Sequence, residues 1–158
     1  NVEVPPDLPD GTPAMFMKYV IDTPSGALRV YSVHPFSPRH AMFDGKDSGS
    51  NIEHREAQIA AAIAAARNDV PPFIIAGDTN LPPLSSIARR HFAGLRDAWE
   101  EVGFGLGYTF PAKRPWMRID RVFTDKSDQV RFIDVKVGRL GRSDHLPLVV
   151  TFEMAPQR

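Results

Sequence analysis

The chain has 158 residues, with 19 basic and 19 acidic side chains, so its formal net charge at pH 7 is zero. Hydrophobic residues make up 42% of it and charged residues 24%, a composition that excludes general disorder and is typical of one globular domain. Cysteine is absent, which excludes a disulfide scaffold and any zinc site built on thiolates. No apolar run approaches the roughly 20 residues that span a bilayer, so no transmembrane segment is predicted.

The N-terminal part of the chain predicts a β-hairpin between two irregular segments. Residues 1–13 are rich in proline and predict an irregular lead-in. Residues 14–22 and 27–34 are β-rich and flank Thr23–Gly26, whose proline and glycine predict a hairpin turn. Residues 35–50 are rich in Gly, Pro and Ser, which predicts a long surface loop.

A long helix is predicted next, ending at Asn68 before a proline pair. Ser50 and Glu53 form a capping-box pattern, and the following alanine run favours helix strongly. The apolar residues expected on its buried face are Ile52, Ile59 and Ile63.

The remaining elements alternate between strand and helix. The apolar run Phe73–Ala76 predicts a strand buried on both faces. Two short helices are predicted, from Ser85 or Ser86 to Phe92 and over Leu95–Val102, and a flexible loop follows. Three more strands are then predicted, over Arg118–Thr124, Val130–Val137 and Leu146–Met154. This alternation predicts a mixed α/β or α+β domain.

Polar side chains stand at the ends of two of these strands. Asp78 and Asn80 follow the buried strand, where a carboxylate can take a proton from water or hold a hard cation. The competing interpretation is a plain Asx turn. His34 ends the hairpin and is a further candidate site residue. The competing interpretation is a structural histidine whose ring nitrogens form hydrogen bonds with backbone groups.

Two further acidic positions need a partner or a role. Asp120 lies in an otherwise apolar strand, so it must be paired, either with Arg118 or Arg121 or with a histidine that it orients. Asp144 and His145 precede the last strand, where the histidine can exchange a proton or stabilise negative charge. The competing interpretation is a loop histidine with an incidental acidic neighbour.

The order of these segments resembles the endonuclease/exonuclease/phosphatase superfamily of DNase I-like, metal-dependent phosphodiesterases. The matching motifs are Val33-His34, Ala76–Asn80, Arg118–Asp120 and Ser143–His145, with Leu95–Ala98 and Tyr108–Phe110 as spacer segments. Each motif is short, but the four occur in the right order over nearly the whole chain. The resemblance implies part of a four-layer α/β/β/α sandwich that hydrolyses phosphodiesters or phosphomonoesters with an in-line activated water, using Mg²⁺ or Mn²⁺.

The resemblance also implies a role for each matching residue. Asp78 would orient or deprotonate the water, and Asn80 would hold that water or a phosphate oxygen. His145 would stabilise the charge on the phosphate, with its ring fixed by Asp120. His34 would bond a non-bridging phosphate oxygen.

The metal site is where the chain departs from the family pattern. Asp144 and Asp78 are the implied metal ligands, but the family's strand ending in asparagine and its Gln-Glu pair, which carries the principal ligand, are absent. The other candidate glutamates lie in the wrong contexts; they are Glu3, Glu53 and Glu56. The family domain has roughly 250 residues, so we expect residues 14–158 to be its C-terminal portion, completed by a missing N-terminal half or a second chain. A half-sandwich would expose a sheet face and edges.

The substrate class stays open at this point. Trp116 and Arg118 lie in a basic stretch that could bind a phosphate backbone and stack a base, or that could be a solvated loop whose tryptophan covers the core. Nucleic acid, lipid and small phosphoesters all remain possible substrates. The alternative functions are an inactive binding module that retains the fold, and a generic α/β domain that matches the motifs by chance.

Overall fold

The first sheet grows from the predicted hairpin. A computed structural model describes residues 1–37, 48–139 and 141–156, with the side chains of Ser48–Ser50 left out. Strands β2 (Phe16–Thr23) and β3 (Gly26–Val33) pair in antiparallel fashion, and Thr23 Oγ1 donates a hydrogen bond to the Gly26 carbonyl at 2.6 Å. The hairpin prediction is confirmed. Most of the predicted long loop and the Ser50 side chain of the capping box lie outside the described residues.

Six strands form this sheet, in the order β1-β2-β3-β4-β6-β5. Its other strands are β1 (Val2–Glu3), β4 (Phe73–Asp78), β5 (Arg96–Asp97) and β6 (Asp120–Thr124). Helix α1 (Ser48–Asn68) connects β3 to β4, and these two strands are parallel because a crossover returns the chain in the same direction. The other neighbouring pairs are antiparallel.

Two short strands replace other predicted structure. The lead-in contains β1, which pairs with the outer edge of β2 before the first prolines remove backbone donors. The prediction of a helix over Leu95–Val102 is wrong for its first residues, because Arg96 and Asp97 form strand β5 and pair with β6. Only the later part is helical, as α3 (Ala98–Val102), while α2 (Ser86–His91) confirms the other short helix.

Helix α1 packs its alanine-rich face on one side of the sheet. Ile59 and Ile63 are buried in this core as predicted, whereas Ile52 is 45% exposed and lies outside the packed part of the helix. The buried partners from the sheet include Tyr31, Phe73, Ile75 and Phe123.

A two-stranded sheet covers the opposite face. Strands β7 (Val130–Val137) and β8 (Leu148–Met154) pair in antiparallel fashion and bury Val130 and Phe132 against the first sheet. The layers are therefore helix, sheet and sheet, which confirms the mixed α/β fold class. No helix among the described residues is long and apolar enough to cross a membrane.

The second sheet covers its neighbour incompletely. Three apolar residues at the uncovered end of the first sheet stay exposed; they are Val2 (53%), Met17 (37%) and Ile21 (46%). The register with β1 and β3 places them on the face that β7 and β8 cover elsewhere. This end of the sheet face is therefore exposed.

Candidate active site

Strands β4 and β6 bring two carboxylates together. Asp78 and Asp120 are directly opposed at the end of this antiparallel pair, so both side chains point to the face shared with the second sheet. Gly77 makes the local geometry possible, because it has φ +144° and a Cβ there would lie 2.1 Å from the Val33 carbonyl oxygen. Only glycine lets β4 run this close to β3.

His145 is held in place by Asp120. Its Nδ1 lies 2.8 Å from Asp120 Oδ2, and because a carboxylate only accepts hydrogen bonds, Nδ1 carries the proton. The ring of Phe110 lies against the imidazole with 4.7 Å between centroids. The partner of Asp120 is thus the histidine, since Arg118 and Arg121 both bond Asp97 instead.

Both histidines approach the Asp78 carboxylate. His145 Nε2 and His34 Nε2 each lie 3.8 Å from Asp78 Oδ2, which is too far for a direct hydrogen bond. The His34 side chain is 69% exposed, whereas those of Asp78 and His145 are mostly buried. Both imidazole rings therefore lie near Asp78, and His34 is the most exposed of the three groups.

Asn80 lies behind Asp78 in a left-handed turn. Its backbone has φ 50°, and its N–H donates to Asp78 Oδ1 at 2.8 Å, which is the predicted Asx turn. Its side-chain Nδ2 donates to the Pro35 carbonyl at 2.9 Å. This bond ties the β4 end to the segment that follows His34.

The environment of Asp78 disfavours its charge. Burial raises the pKa of this carboxyl, and the nearby Asp120 carboxylate adds to the rise. The Asn80 N–H and the two histidines act in the opposite direction without cancelling it. A carboxyl group whose pKa is raised in this way is a stronger base once it is ionised.

Comparisons with known proteins identify the family of this chain. The profile of the Endonuclease/Exonuclease/phosphatase family matches residues 11–145. The chain belongs to this family. A search of curated protein sequences found no match.

Solved structures of this family type share the fold at low identity. The 3′ phosphatase NExo from Neisseria, bound to product DNA hairpin, has a TM-score of 0.72 at 19% identity over 97% of this chain and 70% of its own. A humanized D. rerio TDP2 gives 0.67 at 21% identity over 88% and 60%. An endonuclease/exonuclease/phosphatase from Beutenbergia cavernae gives 0.64 at 20% identity over 89% and 39%. The chain thus spans less than two thirds of the length of the last two of these proteins.

The metal ligands implied by family membership are incomplete in the described residues. No group of three or more His, Asp and Glu side chains there is arranged to hold a metal ion. Asp144 is exposed, and its carbonyl accepts a hydrogen bond from the Ala112 N–H at 2.7 Å. Glu56 is occupied by Arg90 and His91. These residues do not by themselves fit the divalent cation expected for the family.

Arg118 and Trp116 are the other two residues expected to bind substrate, beside Asn80 and His34. Arg118 is bonded to Asp97 and Glu100, so its guanidinium is occupied. Trp116 is 62% exposed and does not cover the core. In the sequence, Phe110 stands out only as part of a spacer segment, and its contact with His145 becomes visible only in three dimensions.

Replacing Asp78 with asparagine is expected to stabilise this family member at pH 8. The folded-state pKa of Asp78 is raised, so its contribution to stability is present below the unfolded pKa of about 3.9 and is lost as pH rises through the folded value. A neutral, isosteric asparagine avoids that loss. Urea unfolding should show the variant more stable than wild type at pH 8 and nearly equal at pH 3.

The matched control is Asp22→Asn, at an exposed carboxylate on β2. This control should change the free energy of unfolding at pH 8 by less than about 0.5 kcal/mol. A less stable Asp78→Asn protein at pH 8 would contradict the raised pKa.

Proposed function

We propose that the chain is the phosphate-binding part of a divalent-metal-dependent phosphoesterase, which hydrolyses a phosphodiester or phosphomonoester with an activated water. One observation carries this proposal. Two histidine Nε2 atoms lie 3.8 Å from a partly buried carboxylate, and one of the two rings is fixed by a second carboxylate. Fixed donors beside a base are the groups that in-line attack on phosphorus requires.

In this proposal Asp78 transfers a proton, and the two histidines stabilise charge on the phosphate. Asp78 takes the proton of the attacking water, since its raised pKa makes the carboxylate a better base. His145 donates from Nε2 to a phosphate oxygen when it is protonated, and Asp120 stabilises the resulting imidazolium. His34 approaches from the exposed side and bonds a second phosphate oxygen.

The two carboxylates of the site call for a cation beside them. Two carboxylates repel an anionic phosphate, so the proposal includes Mg²⁺ or Mn²⁺, with Asp78 and Asp144 joined by at least one ligand from outside the described residues. The cation would neutralise charge on the phosphate when bound.

We further propose that an N-terminal half completes the domain. The exposed apolar residues of β1 and β2 lie on a sheet face that the second sheet covers elsewhere. The chain also spans only 39% and 60% of two proteins that share its fold. A segment preceding Asn1 in the same polypeptide is the proposed partner, with a second chain as the alternative.

Hydrolysis of bis-p-nitrophenyl phosphate tests the proposal. The chain should be assayed with Mg²⁺, with Mn²⁺ and with EDTA, alone and in a form that carries the upstream coding sequence. We expect the longer form to be active with metal and inactive in EDTA or as Asp78→Asn, while Asp22→Asn keeps full activity. If the longer form is inert and Asp78→Asn binds metal as well as wild type does, the enzyme proposal is wrong.

A binding module without catalysis is the second candidate function. The incomplete metal cluster among the described residues is the observation that favours it. In that case the longer form would bind inorganic phosphate through His145 and His34 but would turn over no ester. Calorimetric titration of wild type and His145→Gln with inorganic phosphate measures binding, and the hydrolysis assay measures turnover. The two measurements together separate the two candidate functions.

A further inference from the structure

A pocket of about 420 Å³ opens beside the His145–Asp120 pair. Its floor is formed by small and apolar residues of the first sheet, among them Ala76 and Val122. Its rim carries Arg139 and Arg142. Two cationic side chains therefore line the same pocket as His145 and Asp120.

These two arginines differ from the third arginine of the pocket. Arg121 also lines the pocket, but its Nη2 donates to Asp97 at 2.6 Å, so that charge is satisfied within the protein. Arg139 and Arg142 are exposed, and no ion pair joins either of them to a carboxylate of the described chain. Two unpaired like charges in one pocket favour an anion between them, and guanidinium groups bond phosphate with two parallel donors.

The loop that bears the arginines is fixed at its base. Gly138 N–H donates to the Pro147 carbonyl at 2.7 Å, which closes the loop between β7 and β8. Inside it, His145 N–H donates to Ser143 Oγ at 3.0 Å. Arg142 precedes His145 by three residues and lines the same pocket.

We propose that Arg139 and Arg142 form a second anion subsite, which binds a phosphate group next to the ester under attack. This inference rests on the proposed function of His145 and deepens it, because it names the substrate class. The preferred substrate is a phosphoester that carries another phosphate within the same molecule, such as a nucleotide phosphorylated at both ends. A sugar monophosphate would leave the subsite unused.

Calorimetric titration with thymidine 3′,5′-bisphosphate and thymidine 5′-monophosphate tests the subsite without requiring turnover. We expect the bisphosphate to bind about tenfold more tightly, the effect of one well-formed charged contact. The variant Arg139→Gln/Arg142→Gln should bring the two dissociation constants together and leave monophosphate binding unchanged. The control Arg131→Gln removes an exposed arginine of β7 that pairs with Glu153, and it should keep the tenfold ratio.

Three results would overturn the subsite. They are a ratio near one in wild type, an equal loss of the ratio in the Arg131→Gln control, and no binding of either nucleotide. Hydrolysis of thymidine 5′-(p-nitrophenyl phosphate), with and without a 3′-phosphate, separates this inference from the proposed function. Binding that prefers the bisphosphate without hydrolysis supports the subsite and rejects catalysis, whereas hydrolysis with a binding ratio near one rejects the subsite alone.

Discussion

Replacing Asp97 with asparagine is expected to lower the free energy of unfolding by about 3–5 kcal/mol. The Asp97 side chain is only 3% exposed and accepts hydrogen bonds from Arg118 at 3.2 Å and from Arg121 at 2.6 Å. Without its charge, two buried guanidinium groups lose their main counter-ion. Arg121 then keeps only the distant Glu100 carboxylate at 3.6 Å and the ring faces of Phe92 and Phe123, which offset its burial only partly.

The asparagine substitution isolates charge from capping. Asp97 also caps α3 by accepting the Trp99 N–H at 2.8 Å, and an asparagine oxygen can keep that bond. Urea unfolding at neutral pH measures the loss.

Glu100→Gln is the matched control for this prediction. Glu100 bonds Arg118 at 3.1 Å, but its side chain is 62% exposed, so water replaces it readily. We expect this change to cost less than about 1 kcal/mol. If the two variants lost equal free energy of unfolding, burial of the carboxylate would not determine how much each ion pair stabilises the fold.

Asp97 also marks the limit of what the sequence could predict. Because Asp120 lies in an otherwise apolar strand, the sequence predicted that its carboxylate must be paired. Both the nearby arginines and a distant histidine were candidate partners. The choice depends on a further residue, Asp97, which reaches both arginines only after β5 pairs with β6. A strand of two residues has no periodicity, so the pattern over Leu95–Val102 favoured helix instead.

The elements with strong local signals were predictable. The hairpin, the alanine-rich helix and strand β7 follow from turn residues, propensity and alternation, and they occur where they were predicted. Side-chain burial at the end of the helix was not predictable. Ile52 keeps the apolar spacing but is exposed, because burial depends on which elements lie opposite it.

The candidate site was predicted as a set of residues but not as a geometry. Motif order selected Asp78, Asp120 and His145, whereas the direct opposition of the two carboxylates follows from the β4–β6 register. The Phe110 contact and the arginines of the pocket rim depend on the paths of two loops, for which a single sequence carries little information.

Replacing Asp120 with asparagine is expected to lower kcat about 10²–10⁴-fold in the form of the protein that hydrolyses bis-p-nitrophenyl phosphate, with little change in KM. The carboxylate holds the proton of His145 on Nδ1 and stabilises the protonated ring, whereas an amide can do neither when its NH₂ faces the ring. Ground-state binding should persist, because His34 and the rest of the site are unchanged. Steady-state kinetics measures both parameters.

The control is Asp134→Asn, at an exposed carboxylate of β7 that pairs with Lys136. It should keep kcat and KM within about twofold, since a surface ion pair of this kind contributes little. A large rise in KM at constant kcat in Asp120→Asn would instead assign Asp120 to substrate binding. Unchanged kinetics would show that Phe110 and the loop alone are sufficient to orient His145, so the result decides whether the second carboxylate acts in catalysis or only in the fold.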